Sequence, residues 1–228
     1  MNLLDHFRPP LADQRHWHAF HNAWSTYLAA HLNDQLPPGY FAEPNVQFGI
    51  EIDVATFEEG NGHGAGDPTW EVPAPTQTLP VAVLGDLVEV LIFGREGGPT
   101  LAGAIELVSP GNKDRPESRD ALTSKCAAWL QNGVGLMTVD VVTERTANLH
   151  ELLLARLSPE AATAAGGLYA ASYRLIDREE QLSLDIWHRP LSLDAPLPTL
   201  PLWLRGNLCL AVDLDATYER TCRELRIL

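Results

Sequence analysis

The chain has 228 residues, of which 45% are hydrophobic and 20% charged, a composition that predicts one globular domain over residues 1–228 and excludes a disordered or fibrous chain. Its net charge of −14 argues against an extensive surface for gripping nucleic-acid phosphates. No apolar run reaches the ~20 residues of a membrane span, and the first residues do not form a signal peptide. We therefore expect a cytoplasmic protein without a membrane partner.

The first predicted element is a helix over residues 11–36. Apolar residues recur along one face at spacings of three and four: Trp17, Phe20, Trp24, Leu28 and Leu32. His18 and His21 share a face of this helix and invite a metal interpretation. We favour a structural role for them, because no further acid or cysteine completes a ligand set.

Residues 40–57 have strand character, with a turn near Gly49. Alternation places Asp53 on the face opposite Ile52, so we expect a half-exposed strand with a wet acidic face. A Gly- and Pro-rich loop follows over residues 58–80. Its length is compatible with a functional lid and equally with an insertion.

Residues 86–93 and 101–108 are predicted to be strands that pair antiparallel. A helix then begins near Arg115, where Asp114 and Glu117 can form a capping box, and ends before Gly133. Residues 134–142 form the next strand. A strand, helix and strand of these lengths predict a parallel pair buried on both faces, with Glu106 and Asp140 in central strands.

The rest of the chain is predicted to hold a helix over 149–157 and strands over 168–175 and 182–187. A Pro-rich extended segment, 190–204, is expected to wrap the surface. A last helix begins near Asp215. The cysteines Cys126, Cys209 and Cys222 show no paired spacing and are expected to be reduced.

Glu106 is the most informative residue, because a buried carboxylate costs several kcal/mol unless something pairs with it. Lys125 follows Leu122 by three residues and precedes Trp129 by four, so it lies near the helix face that covers the sheet and can reach Glu106. A lysine extending its ammonium to solvent is the equal alternative. Carboxylates and a lysine at the end of a sheet are typical of hydrolytic sites that use Mg²⁺ or Mn²⁺.

Two segments carry a resemblance to a known family: AIELVSPGNKD at 104–114 and GVGLMTVDVV at 133–142. With Lys125 between them, they resemble a bacterial family known as a domain of unknown function, DUF4058. The resemblance extends to IEIDVATF at 50–57 and covers nearly the whole chain. That family is similar to Uma2-type restriction endonucleases, which implies an α/β fold with a PD-(D/E)XK core: a mixed sheet flanked by helices, with an N-terminal helix and a C-terminal strand and helix added.

The resemblance implies a catalytic set of Asp53, Glu106 and Lys125, with Asp53 and Glu106 as ligands of Mg²⁺ or Mn²⁺. Asp86 is a rival for the first acid, because it begins the strand 20 residues before Glu106. The chain departs from the pattern in two places. Ile52 precedes Asp53 where a proline is expected, and Val108 stands where the nuclease lysine usually lies.

Three functions remain open. The first is metal-dependent hydrolysis of phosphodiesters in nucleic acid. The second is a non-catalytic scaffold or binding module in which Glu106 and Lys125 form a structural pair. The third is hydrolysis of a small phosphorylated molecule, which suits the charge of −14 better than duplex DNA does. A homodimer is one open oligomeric state.

Overall fold

A computed structural model describes residues 1–48, 50–58, 70–81, 100–158, 166–178, 181–205 and 207–227. The described helices are α1 (Leu11–Gln14), α2 (Trp17–Asn33), α3 (Pro110–Asp114), α4 (Pro116–Gln131), α5 (Leu149–Leu157) and α6 (Leu214–Glu224). The described strands are β1 (Tyr40–Phe48), β2 (Ile50–Glu58), β3 (Gln77–Pro80), β4 (Thr100–Leu107), β5 (Gly135–Asp140), β6 (Tyr169–Arg178), β7 (Gln181–Pro190), β8 (Thr199–Trp203) and β9 (Cys209–Asp213).

A mixed sheet of seven strands lies at the centre, in the order β1-β2-β4-β5-β6-β7-β3. Strand β4 pairs antiparallel with β2 and parallel with β5, with Gly103 opposite Gly135 and Leu107 opposite Val139. The parallel pair joined by α4 confirms the predicted strand, helix and strand. Because neighbours occupy both edges of β4, the acid that it carries lies deep in the sheet.

Each face of the sheet is covered by its own apolar core. On one face, α2, α6 and the β8–β9 pair contribute Trp24, Leu28, Leu200, Val212 and Tyr218. On the other face, α4 and α5 contribute Leu122, Cys126, Trp129, Leu153 and Leu154. The aromatic stripe predicted for the first helix is confirmed, since Phe20, Trp24, Leu28 and Leu32 are all buried. The predicted mixed α/β architecture is thereby confirmed.

The C-terminal segment packs more closely on the sheet than the sequence predicted. Residues 199–203 form β8, with Leu200 and Leu202 buried, so the expected surface wrap over 190–204 is wrong for this part. A Cβ atom at Gly135 would lie 1.5 Å from the Trp203 carbonyl oxygen. Glycine is therefore required on β5 to let the β8 backbone approach.

Two cap predictions are wrong, because the short helix α3 precedes α4 and because the last helix has its N-cap two residues earlier than predicted. Ser109 and Asn112 form a capping box at the start of α3, whereas α4 begins at Pro116 without a side-chain cap. At the last helix, Asp213 is the N-cap and accepts from the Ala216 amide at 2.9 Å. The predicted cap Asp215 instead pairs with the amino terminus.

Two further predictions concern segments that are described in part or not at all. The strand predicted over 86–93 and residues 59–69 of the predicted loop lie outside the described residues. At the end of that loop, β3 pairs antiparallel with β7.

Within the described residues, no helix has both the length and the apolar character needed to cross a bilayer. The cysteines that the sequence predicted to be reduced are free thiols.

Candidate functional site

A pocket of about 230 Å³ lies at the carboxyl end of β4, between the first turns of α2 and the start of α3. Three elements bring acids and a lysine to it: Asp53 from β2, Glu106 from β4 and Lys125 from α4. The remaining lining residues are mostly polar or aromatic: Trp17, His18, His21, Asn22, Leu107, Ser109 and Asn112. The structure therefore gathers three of the four predicted site residues, whereas Asp86 lies outside the described residues.

Asp53 reaches the pocket because β2 pairs directly with β4. Val54 lies opposite Ile105, which places Asp53 beside Glu106 at the end of the paired stretch. Asp53 Oδ2 accepts a hydrogen bond from the Leu107 amide at 2.7 Å, and the residue is only 8% exposed. The predicted wet acidic face is therefore wrong, because layers on both sides of the sheet bury this strand, including Ala55.

Glu106 and Lys125 form a buried ion pair across the sheet and helix layers. Lys125 Nζ donates to Glu106 Oε2 at 2.9 Å, and the side chains are 8% and 7% exposed respectively. The ammonium also lies 4.9 Å from the centre of the Trp129 ring, an attractive cation–π arrangement. Of the two alternatives left open by the sequence, Lys125 therefore points toward the sheet and does not extend to solvent.

The second oxygen of Glu106 has no such contact. Glu106 Oε1 is buried and has no hydrogen-bond partner among the described residues. A buried unpaired carboxylate oxygen is costly. Burial raises the pKa of Glu106 to about 8; Lys125 lowers this pKa and the nearby Asp53 carboxylate raises it. A cation at this position would remove both the desolvation cost and the repulsion between the two acids.

His21 also lines the pocket, and sequence reasoning named this residue but missed its contact with Asp53. Its Nε2 lies 3.2 Å from Asp53 Oδ1 and 3.0 Å from the Leu107 carbonyl oxygen. Burial alone would lower the pKa of His21, but the hydrogen bond and charge of Asp53, with the Leu107 carbonyl, raise it. No spacing along the sequence pairs His21 with Asp53, because the acid comes from a strand that α2 packs against. The available signal in the sequence was that His21 follows Trp17, a residue of the predicted apolar face, by one helical turn.

A second buried pair lies outside the pocket. Lys113 Nζ donates to Asp140 Oδ2 at 2.8 Å, and Asp140 Oδ1 accepts from the Val142 amide at 3.0 Å. Burial raises the pKa of Asp140, although Lys113 opposes this shift. Asp140 lies in a central strand, as predicted, and is fully buried. Both of its oxygens are satisfied, so this pair anchors α3 to the end of β5.

The residues present fit a hard cation better than a transition-metal cage of side chains. No group of three or more His, Cys, Asp or Glu side chains comes together as a metal cluster in the part of the chain that is described. Mg²⁺ and Mn²⁺ are commonly held by one or two carboxylates with waters and substrate oxygens. Asp53, the unpartnered Oε1 of Glu106 and the Leu107 carbonyl supply oxygen donors of this kind.

Comparisons with known proteins add no relative on which to base a function. Scans of protein-family models, of curated proteins and of solved structures each found no match to this chain.

Proposed function

We propose that this protein is a metal-dependent phosphodiester hydrolase built on a PD-(D/E)XK-like core. The observation that carries the proposal is the convergence of Asp53, Glu106 and Lys125, from three separate elements, on one pocket at the end of β4. The buried Oε1 of Glu106 supports it, because that oxygen has no hydrogen-bond partner among the described residues. An acid on one strand, an acid on the adjacent central strand and a lysine on the following helix match the arrangement implied by the family resemblance.

Asp53 and Glu106 would hold the ion, with Mg²⁺ or Mn²⁺ as its chemical class. When bound, such an ion lowers the pKa of a water ligand and polarises a phosphoryl oxygen. Asp53 is preorganised for this role, since the Leu107 amide fixes its Oδ2. Glu106 is held by Lys125 through Oε2, which leaves Oε1 for the ion.

Lys125 positions the reacting groups and offsets negative charge. Its ammonium lies in a buried environment, where a positive charge interacts with a phosphate more strongly than it would in water. A water molecule would lose a proton to solvent as its oxygen adds to phosphorus, the ester P–O bond would break, and the leaving oxygen would take up a proton from solvent. Asn22, Ser109 and Asn112 line the same pocket and offer polar groups to a bound phosphate.

Hydrolysis of a small phosphorylated molecule is a second candidate. The pocket is only about 230 Å³, and the chain carries a net charge of −14. A duplex requires a broad basic surface, whereas a mononucleotide or a similar ester needs only the pocket. The same acids and lysine would serve either substrate.

A non-catalytic scaffold is favoured by one different observation. Lys125 contacts Glu106 directly at 2.9 Å, as in a structural ion pair, and Val108 is buried where the nuclease lysine is expected. In that case the pair fixes α4 on β4 and no ion is needed.

The test is a hydrolysis assay with Mn²⁺, Mg²⁺ or EDTA. Substrates are labelled single-stranded and duplex DNA, RNA, and the small esters bis(p-nitrophenyl) phosphate and p-nitrophenyl phosphate. We expect metal-dependent cleavage that falls by about 100-fold or more in Glu106→Gln and Lys125→Met, because each removes charge stabilisation in a buried site. Glu117→Gln, which changes an exposed acid of α4, is the matched control and keeps full activity.

The substrate profile separates the candidates. Cleavage of the small esters alone supports the second candidate. Absence of metal-dependent cleavage of every substrate, or equal activity of Glu106→Gln and the wild type, would overturn hydrolysis at this site.

A further inference from the structure

His18 lies at the open side of the pocket, away from the buried acids and the lysine. Asp53, Glu106 and Lys125 are 8%, 5% and 7% exposed, whereas His18 lines the same pocket and is exposed to solvent. It precedes His21, which contacts Asp53, by one turn of α2, so both imidazoles lie on the same face of that helix. The pocket therefore has a closed end with the acids and an open end with an imidazole.

This arrangement determines which way the leaving group of a substrate points. The closed end is bounded by β2, β4 and α4, so a substrate enters from the open end and its bulky groups remain there. The attacking and leaving oxygens lie roughly in line on opposite sides of the phosphorus during phosphoryl transfer. A water molecule beside Lys125 would attack from the closed end, which directs the leaving oxygen toward His18.

The leaving oxygen of an alkyl ester needs a proton, because an alkoxide is a poor leaving group. Other polar side chains of the pocket are engaged with one another: His21 contacts Asp53, and Ser109 Oγ donates to Asn112 Oδ1 at 2.8 Å. Imidazole is the side chain that most often transfers protons in enzymes. His18 carries such a group at the open end, where solvent can return the proton to it after each reaction.

We propose that His18 is the general acid of the hydrolysis, replacing solvent as the immediate source of the proton for the leaving oxygen. This inference rests on the proposed hydrolytic site at Asp53, Glu106 and Lys125. As the ester P–O bond breaks, its electron pair passes to the leaving oxygen, which takes the Nε2 proton of the imidazolium. The neutral imidazole then regains a proton from solvent. Asn22 Nδ2 lies 3.3 Å from His18 Nε2, where the amide can donate to the nitrogen that has lost its proton.

Two substrates that differ only in their leaving group test the proposal. One is the p-nitrophenyl ester of thymidine phosphate, and in the other a second thymidine replaces the p-nitrophenyl group. The p-nitrophenolate leaves as a stable anion without a proton, whereas the alkoxide of thymidine does not. The kcat of the full-length protein is measured for both substrates in Mn²⁺.

Replacing His18 should affect only the substrate whose leaving group needs a proton. We expect the kcat of His18→Ala to fall by about 100-fold for the dinucleotide and to stay within about threefold of the wild type for the p-nitrophenyl ester. His18→Gln should give the same pattern, because glutamine forms hydrogen bonds but does not transfer a proton. His16→Ala is the matched control and should keep both rates, since His16 is the exposed N-cap of α2 and lies outside the pocket.

The outcomes separate this inference from the proposed function. Equal losses on the two substrates, or an unchanged rate on the dinucleotide, overturn the role of His18 and leave the hydrolase intact. A wild type that cleaves only the p-nitrophenyl ester overturns that role as well, because no donor then serves the alkoxide. A wild type that cleaves neither diester overturns both proposals. If His18→Ala fails to fold, the rates of His18→Gln decide the question.

Discussion

Glu106→Gln separates a metal site from a structural ion pair, because glutamine keeps the size of the side chain but loses its charge. In the wild type, Lys125 Nζ donates to Glu106 Oε2 and Oε1 has no partner among the described residues. Removing one charge of a buried pair costs about 3 to 5 kcal/mol, so we expect the metal-free variant to be less stable than the wild type. The decisive quantity is the further change in melting temperature on adding Mn²⁺.

The expected size of that change follows from binding linkage. An ion that binds only the native state at 100 times its dissociation constant stabilises it by about 2.7 kcal/mol. For a chain of this length, 1 kcal/mol shifts the melting temperature by roughly 2 to 4 °C. We therefore expect Mn²⁺ to raise the wild-type melting temperature by about 5 to 10 °C, and that of Glu106→Gln by about 1 °C or less. Differential scanning calorimetry in MnCl₂ and in EDTA measures both.

Asp140→Asn is the matched control, because it disrupts the other buried pair of the sheet. Asp140 bonds Lys113 and the Val142 amide, and it does not line the pocket. This variant should also melt at a lower temperature than the wild type, but Mn²⁺ should raise its melting temperature as much as it raises that of the wild type. An equal Mn²⁺ shift in Glu106→Gln and the wild type, or no shift in the wild type, would refute the metal interpretation of the Glu106–Lys125 pair.

Three further predictions concern stability. Lys113→Met leaves Asp140 buried without its counter-charge, so chemical denaturation should show a loss of about 3 to 5 kcal/mol, and a loss under 1 kcal/mol would contradict the pairing. Gly135→Ala places a Cβ 1.5 Å from the Trp203 carbonyl oxygen, so the free energy of unfolding should fall by about 3 kcal/mol or more; wild-type stability would show that β8 does not pack there. Burial lowers the pKa of His150 to about 3, so the unfolded chain takes up a proton near pH 6.5 that the native chain takes up only near pH 3. The free energy of unfolding should therefore decrease as the pH is lowered from about 6.5 to about 3, and His150 should contribute about 1.4 kcal/mol per pH unit to this decrease. His150→Gln should reduce that slope by up to about 1.4 kcal/mol per pH unit, which is the contribution of one proton. An unchanged slope, measured by urea denaturation at several pH values, would contradict the lowered pKa of His150.

The central part of the fold was predictable because local patterns there agree with the tertiary structure. The apolar run ending at Val108 and the glycine at 133 predict β4, α4 and β5. The spacing of Lys125 from Leu122 and Trp129 places it near the helix face that covers the sheet. A parallel pair buried on both faces has few alternatives once its helix is assigned. These elements allow the Glu106–Lys125 contact, but the sequence left a Lys125 that extends to solvent equally open, and packing decides between the two.

The contacts that were missed depend on how separate elements pack. His21 meets Asp53 because α2 packs on the sheet, and no spacing within α2 reports which strand it will cover. Alternation in β2 correctly separates two faces of the strand, but it does not report whether a second layer covers the face that carries Asp53. Such a layer is present, and Asp53 is therefore buried. Likewise, the proline-rich segment 190–204 is extended whether it wraps the surface or pairs as β8, so its composition does not distinguish the two.

Anomalous diffraction from Mn²⁺-soaked crystals tests the proposed metal site most directly. We predict one strong peak in the pocket at the end of β4, with carboxylate oxygens of Asp53 and Glu106 about 2.0 to 2.3 Å from the ion and the Lys125 ammonium beside it. A well-ordered crystal that binds Mn²⁺ only elsewhere, or that leaves this pocket without an anomalous peak at millimolar Mn²⁺, would contradict the assignment of Asp53 and Glu106 as metal ligands.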